Sequence, residues 1–178
     1  MITKSLIKSK KITLKNLNLK NYNKEYCRWL NNKEINKFLE VRFKKQNKKS
    51  IENYIVNSNK NPNCLLFGIF LTKNNIHIGN IKLEPINFEH KRGIIGLFIG
   101  KKEYWGKGLA SDSIRIISQY AKTKLSLKKL VAGCYSNNIG SKKAFLNAGY
   151  KVEAILKDYW YDESQKKFID EIILTKNV

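Results

Sequence analysis

Apolar and polar residues alternate from residue 10 to 19, where Ile12, Leu14, Leu17 and Leu19 carry the apolar side with a slip of phase near Asn16, and this predicts a half-buried strand. The spacing then changes. Tyr22, Tyr26, Trp29, Leu30, Ile35, Phe38 and Leu39 recur at three and four residues with a break near Asn31 and Asn32, the pattern of two short helices. A basic loop over 42–49 follows, and Ser50, Ile51, Tyr54 and Ile55 open another helix that Asn61-Pro62 must stop. Residues 64–71 and 76–86 are apolar runs joined by Lys73, Asn74 and Asn75, which predicts a hairpin. The apolar phase shifts around Gly79, so a bulge is expected there. Residues 93–100 are apolar on both faces and predict a central strand.

After that strand the period lengthens again. Ala110, Ile114, Ile117, Ala121 and Leu125 follow the spacing of a long amphipathic helix. A strand over Lys129–Tyr135, a short helix over 139–148 and two closing strands at 150–161 and 168–176 complete the chain. This order predicts an α/β fold: a mixed sheet with helices on its faces, in one domain spanning 1–178. No repeat or linker divides it.

Composition narrows the function classes. With 178 residues and 42% hydrophobic content the chain can bury a real core. The longest apolar stretch covers eight residues, against the roughly 20 that cross a bilayer. Residues 1–15 offer no continuous hydrophobic block before a cleavage site, so no membrane span or secretion is expected. Cys27, Cys64 and Cys134 are an odd, dispersed set that fits neither a disulfide framework nor a zinc site, so reduced thiols, no metal and a cytoplasmic location are expected.

The net charge of +21 has two readings. It is the electrostatic footprint of a protein with an anionic partner, nucleic acid included. Yet 31 of the 35 positive residues are lysine, and 21 asparagines and 22 isoleucines accompany them, a bias that AT-rich coding also produces. Bidentate readout of bases and phosphates favours arginine, and only Arg28, Arg42, Arg92 and Arg115 are present. A nucleic-acid partner is therefore not expected.

The chemistry concentrates at residues 99–110, where the central strand hands over to the long helix. Gly106 and Gly108 allow close backbone approach, and the helix start offers unpaired N–H groups and a positive dipole end. A pyrophosphate suits such a corner, with Lys107 adding charge; a plain tight turn is the bland alternative.

Glu103-Tyr104-Trp105-Gly106-Lys107-Gly108 resembles the phosphate loop of the GNAT acetyltransferase superfamily, Gln/Arg/Glu-x-x-Gly-x-Gly/Ala. Tyr104 to Ala110 is similar to the branch holding ribosomal-protein N-terminal acetyltransferases and many small-molecule and amino-sugar acetyltransferases. Asn138-Ile139-Gly140-Ser141, then Phe145, Ala148, Gly149 and Tyr150, resembles a second element of that superfamily. The resemblance implies a mostly antiparallel sheet of about seven strands, splayed in the middle between 93–100 and Lys129–Tyr135. It also implies acetyl-CoA as co-substrate, its pyrophosphate on the amides of residues 104–110: Tyr104, Trp105, Gly106, Lys107, Gly108, Leu109 and Ala110. A backbone amide near Phe98 or Ile99 would polarise the thioester carbonyl. Asn138 would hold the cofactor arm, with Phe145 beside it, and Ser141 would serve the departing thiolate. Helix capping is the alternative for Asn138 and Ser141.

The implied acceptor is a primary amine, which must lose a proton before it attacks. Here the chain departs from its relatives, for Ile94 stands where many carry a glutamate and Phe145 where many carry a tyrosine. Substitute bases are Glu84 at the end of the preceding strand, Glu89 or His90 in the following loop, and more weakly Tyr135. Trp29, Phe38, Arg42 and Glu84 are expected to border the acceptor, since residues 29–43 resemble the helical wall of the acceptor pocket in members tied to surface-polysaccharide sugars. Lys44, Lys45, Lys48 and Lys49 would line a basic approach suited to a nucleotide-linked amino sugar. A protein N-terminal acetyltransferase is the second reading and a non-catalytic nucleic-acid-binding module the third. A monomer or homodimer is expected.

Overall fold

The computed structural model describes residues 6–163 and 165–178. The chain runs β1 (Ile7–Lys8), β2 (Ile12–Asn16), α1 (Tyr26–Asn31), α2 (Lys33–Asn36), a 3-10 turn (Glu40–Phe43), α3 (Lys48–Lys60), β3 (Leu65–Leu71), β4 (His77–Asn87) and β5 (Arg92–Ile99). A second 3-10 turn (Lys102–Tyr104) leads to α4 (Leu109–Leu125), β6 (Lys129–Tyr135), α5 (Ile139–Asn147), β7 (Lys151–Asp162) and β8 (Lys167–Asn177).

Local chemistry sets the boundaries. β2 ends at Asn16, where the apolar phase slips, because Asn21 Nδ2 donates to the Asn16 carbonyl at 2.9 Å and Asn21 Oδ1 accepts from the Asn18 N–H at 2.9 Å. These bonds bend the chain, so the expected strand over 10–19 is shorter. Helix α3 starts at Lys48, two residues before the expected start, because Asn47 and Ser50 form a reciprocal capping box. It stops at Lys60, ahead of Pro62 as expected. Residues 42 and 43 of the expected loop instead belong to the 3-10 turn Glu40–Phe43.

The β3–β4 hairpin forms, and its register shifts where Ile69 and Phe70 face Gly79 and His77, leaving Ile78 as the extra residue of the bulge expected around Gly79. β3 is apolar on both faces because each face meets a different core. Leu65, Phe67 and Ile69 join Ile114, Ile117 and Ala121 of α4 and Phe145 of α5. Cys64 and Leu66 turn the other way, toward Trp29, Leu30, Ile51 and Ile55 of α1 and α3. Each fully buried Leu, Ile or Phe contributes on the order of 1.5–3 kcal/mol, so this double-sided strand anchors both helical layers.

Among the described residues eight strands, one more than expected, form one sheet in the order β1-β2-β3-β4-β5-β6-β8-β7. Every neighbouring pair is antiparallel except β5–β6, which is parallel and short: Arg92↔Lys129, Gly93↔Leu130 and Ile94↔Val131. Beyond Ile94 and Val131 the two strands run on unpaired, to Ile99 and Tyr135. The sheet is splayed at its centre, as expected. Among the described residues no helix is long and apolar enough to cross a membrane.

Candidate active site

The corner after β5 is built from backbone. Gly100 and Lys101 donate N–H bonds to the Ile78 carbonyl at 2.8 and 3.2 Å, which fixes the exit of the strand. The Trp105 indole N–H donates to the Ile99 carbonyl at 2.8 Å and folds the following turn back on it. Gly106 and Gly108 have φ of +73° and +75°, with open space where a Cβ would stand. A non-glycine residue would be strained at both. Gly108 caps α4 without a side-chain hydrogen bond, so no side chain blocks the first-turn N–H groups at the positive end of a 17-residue helix. Lys101 pairs with Glu25 at 3.0 Å and Lys102 with Glu34 at 2.6 Å, clipping the corner to the α1–α2 region. The Lys101 ammonium holds the Glu25 carboxyl below its ordinary range. Lys107 Nζ lies 5.2 Å from the Tyr104 ring centroid, at the exposed rim.

From this corner the splay between β5 and β6 opens a groove of about 210 Å³. Ile95, Gly96 and Leu97 form its β5 side, and Gly133, Cys134 and Tyr135 its β6 side. Phe98 and Ile99 continue the same strand toward the glycine corner. The Phe98 ring is turned to α1, stacked on Tyr26 at 5.8 Å between centroids. Asn138, Ser141 and Phe145 of α5 close one side of the groove. Asn138 is a helix cap, its Oδ1 accepting from the Ser141 N–H at 3.1 Å. That capping points the start of α5 into the groove, so the capping and site readings meet in one residue. The Ser141 hydroxyl bonds the Cys134 thiol, whose pKa burial raises. Phe145 is buried and stands edge-on to Tyr150, so it is more floor than contact.

The segment that leads into the first 3-10 turn supplies the opposite wall with Phe38, Leu39 and Glu40. The Tyr135 hydroxyl donates to Glu40 Oε1 at 2.6 Å and accepts from Arg42 Nη2 at 2.8 Å. Its ring lies 5.0 Å from Trp160, stacked, and 5.9 Å from Phe38. Burial first, and then the bond to Glu40, push the Tyr135 phenol up to about 12. A phenol so placed keeps its proton near neutral pH and is unsuited to the role of base. Glu171 of β8 is the second carboxylate in the lining, held above its ordinary range by burial and then by the negative charge of Glu40.

Five sequence expectations meet in this groove, Phe38, Tyr135, Asn138, Ser141 and Phe145, with Arg42 bonded to Tyr135. Trp29 does not. It is buried, packed with Tyr26, Phe98 and His77 beneath the end of β5, because α1 turns its apolar side to the sheet. Glu84 is also elsewhere, paired with Lys82 at 2.6 Å and accepting from Asn61 Nδ2 at 2.9 Å beside the end of α3. Glu89 and His90 are exposed in the β4–β5 turn, at the opposite end of β5 from the glycine corner. Ile94 stands at the last β5–β6 pair, where the groove begins. Glu40 belongs to the 29–43 segment expected as a pocket wall but was not singled out in it, and Trp160 and Glu171 were missed. The available signal was the acid pair Asp170-Glu171 set between Ile169 and the apolar run over 172–174.

A family model described as an acetyltransferase (GNAT) domain matches residues 11–151. The chain is 29% identical over 104 residues to an uncharacterized N-acetyltransferase p20 of Bacillus licheniformis, covering 58% of this chain and 57% of that protein. It is 32% identical over 92 residues to the probable N-acetyltransferase YjcK of Bacillus subtilis (strain 168), covering 51% and 50%. The chain thus spans about half the length of the curated relatives it matches. Among solved structures it superposes on the microcin C7 self-immunity acetyltransferase MccE, described with acetyl-CoA and AMP, with a TM-score of 0.79 at 24% identity, covering 96% and 94% of the two chains. It superposes on the spermidine N-acetyltransferase of Vibrio cholerae, described with CoA and spermine, with a TM-score of 0.80 at 19% identity, covering 93% and 95%.

Proposed function

Because residues 11–151 match its model, the chain belongs to the GNAT acetyltransferase family, and we propose that it is an acetyl-CoA-dependent N-acetyltransferase acting on a primary amine of a small molecule. One observation carries this reading: an uncapped helix start with two positive-φ glycines opens directly onto an interrupted parallel strand pair. The residues present fit acetyl-CoA. Backbone N–H groups from residues 104–110 would hold the pyrophosphate. The unpaired edges of β5 and β6 would accept the pantetheine arm, with Phe98 or Ile99 N–H available to the carbonyl oxygen. When bound, acetyl-CoA supplies the activated acetyl group. Ser141 at the start of α5 would donate a hydrogen bond to the departing sulfur, and Asn138 holds that helix start in place.

The acceptor would enter on the side of Phe38, Glu40 and Trp160. An anionic nucleotide-linked amino sugar was expected from a basic approach, yet the charged residues in the described lining are Glu40 and Glu171. Two carboxylates among aromatic rings favour a cationic amine over an anionic one. A protein N-terminal amine shares that charge and is the second reading.

Calorimetry with acetyl-CoA and release of free CoA on addition of amines test the proposal. Binding of acetyl-CoA with a raised melting temperature is expected, since a ligand that binds only the folded chain stabilises it. No binding at millimolar acetyl-CoA would refute the assignment. Turnover of peptides but not of small amines would favour the N-terminal reading, and turnover of a nucleotide-linked amino sugar alone would restore the anionic acceptor.

A further inference from the structure

Glu171 is the second of two adjacent acids set between Ile169 and Ile172 of β8, and packing gives no reason for it. Its neighbour Asp170 is engaged, bonded to Lys157 at 2.9 Å and accepting from the Asp158 N–H at 3.0 Å. The Glu171 carboxylate has no hydrogen-bond or ion-pair partner among the described residues. It faces Tyr135 across the β6–β8 ladder and leans over Gly133, where an added Cβ would collide with its Oε1. The missing side chain at Gly133 thus lets a carboxylate lie on the groove floor, across the splay from Ile95 and Gly96.

We propose that Glu171 is the catalytic residue that takes the proton from the acceptor amine, and that the acceptor is a small amine that enters as a cation between Glu171 and Glu40. This rests on the N-acetyltransferase reading above. In the step, an N–H bond of the ammonium breaks, the proton goes to a Glu171 carboxylate oxygen, and the electron pair stays on nitrogen as the nucleophile. Glu40 is less suited to that task, since the Tyr135 hydroxyl and the Arg42 guanidinium already engage its Oε1. It serves as the second negative charge that holds the ammonium.

The groups around Glu171 set its proton affinity. Glu40 acts on it from the 3-10 turn, itself paired with Arg42, while Cys134 and Tyr135 border it from β6, with Lys142 of α5 acting on Cys134. Trp160 of β7 adds an uncharged wall. Burial and the Glu40 charge hold the carboxyl above its ordinary range, which raises its strength as a base at neutral pH.

The test compares wild type with E171Q, E171D and G133A, using 1,4-diaminobutane and spermine as cationic probes. Acetyl-CoA affinity, read by calorimetry, is expected to be unchanged in E171Q. Its kcat on the better probe should fall about 100-fold or more, and the rising limb of the pH–rate profile should disappear. E171D should recover part of the rate, and G133A should lower it by displacing the carboxylate. With CoA present, spermine affinity should weaken in E171Q, a readout independent of turnover. Wild-type rate and pH profile in folded E171Q would overturn the proposal, as would a wild type that binds acetyl-CoA and turns over neither amine. Failure of wild type to bind acetyl-CoA would instead sink the reading on which the proposal stands.

Discussion

The Trp29 indole fills the space where Gly100 would carry a side chain, so that a Cβ at residue 100 would overlap Cδ2 and Cε3 of the ring. The contact joins the α1 layer to the last residue before the glycine corner, and it explains why Trp29 is core rather than pocket wall. The ring is hemmed in by Tyr26, Phe98 and His77 and has no room to retreat.

Gly100→Ala should therefore destabilise the fold by about 1–3 kcal/mol, the usual range for overpacking. The midpoint of urea denaturation reads this directly, and acetyl-CoA affinity should fall with it because the corner shifts. An unchanged midpoint would mean that Trp29 moves freely.

Gly108→Glu places a carboxylate at the helix start proposed for the pyrophosphate. Two like charges a few ångströms apart near a protein surface cost about 4 kcal/mol, so acetyl-CoA affinity should drop by a hundredfold or more. The backbone strain of a left-handed residue adds about 1–2 kcal/mol to the fold, which urea denaturation separates from the binding effect. Retained affinity would place the phosphates elsewhere.

Tyr135→Phe removes the hydroxyl that bridges Glu40 and Arg42. Losing two charge-assisted bonds at a buried ring should cost about 1–3 kcal/mol. Acetyl-CoA binding should be kept, while KM for the amine rises as Glu40 loses its anchor. Titration distinguishes this role from that of a base. The phenol, pushed up to about 12, should show no ultraviolet ionisation step near neutral pH.

His77 gives the fold a pH limit. Its Nδ1 accepts from the Asn23 N–H at 3.0 Å, so the ring is neutral, and Nε2–H donates to the Gly79 carbonyl and Asn80 Oδ1 at 2.9 and 2.8 Å. Burial lowers its pKa below the ordinary value of 6.5. The folded state then binds fewer protons than the unfolded one, so this stability is complete above about pH 6.5 and declines as the pH falls below it. The denaturation midpoint should drop between about pH 7.5 and about pH 5, and His77→Gln should flatten that dependence. Glu171, shifted the other way, opposes the trend, and the His77→Gln comparison removes its part.

Elements with strong local causes were legible in the sequence. The hairpin, the bulge at Gly79, the long helix and the strand at 129–135 follow from side-chain period and turn residues, which act over a few positions. The glycine corner was legible for the same reason: residues 106 and 108 use their own backbone geometry. The carboxylate assignments failed because proximity is not local. Glu84 lies near the central strand in sequence, yet its register turns it to Lys82 and Asn61. Glu171 lies 77 residues beyond Ile94, and insertion of β8 between β6 and β7 brings it to the groove.

By itself, then, the sequence determined the α/β class, the order of elements and the glycine corner after β5, because period, capping and φ preference are written residue by residue. Tertiary structure alone decided that the lining carries two acids in a chain of net charge +21. Charge count is a sum over the surface, whereas the field in a groove is set by the few groups that strand pairing and burial bring within reach of one another.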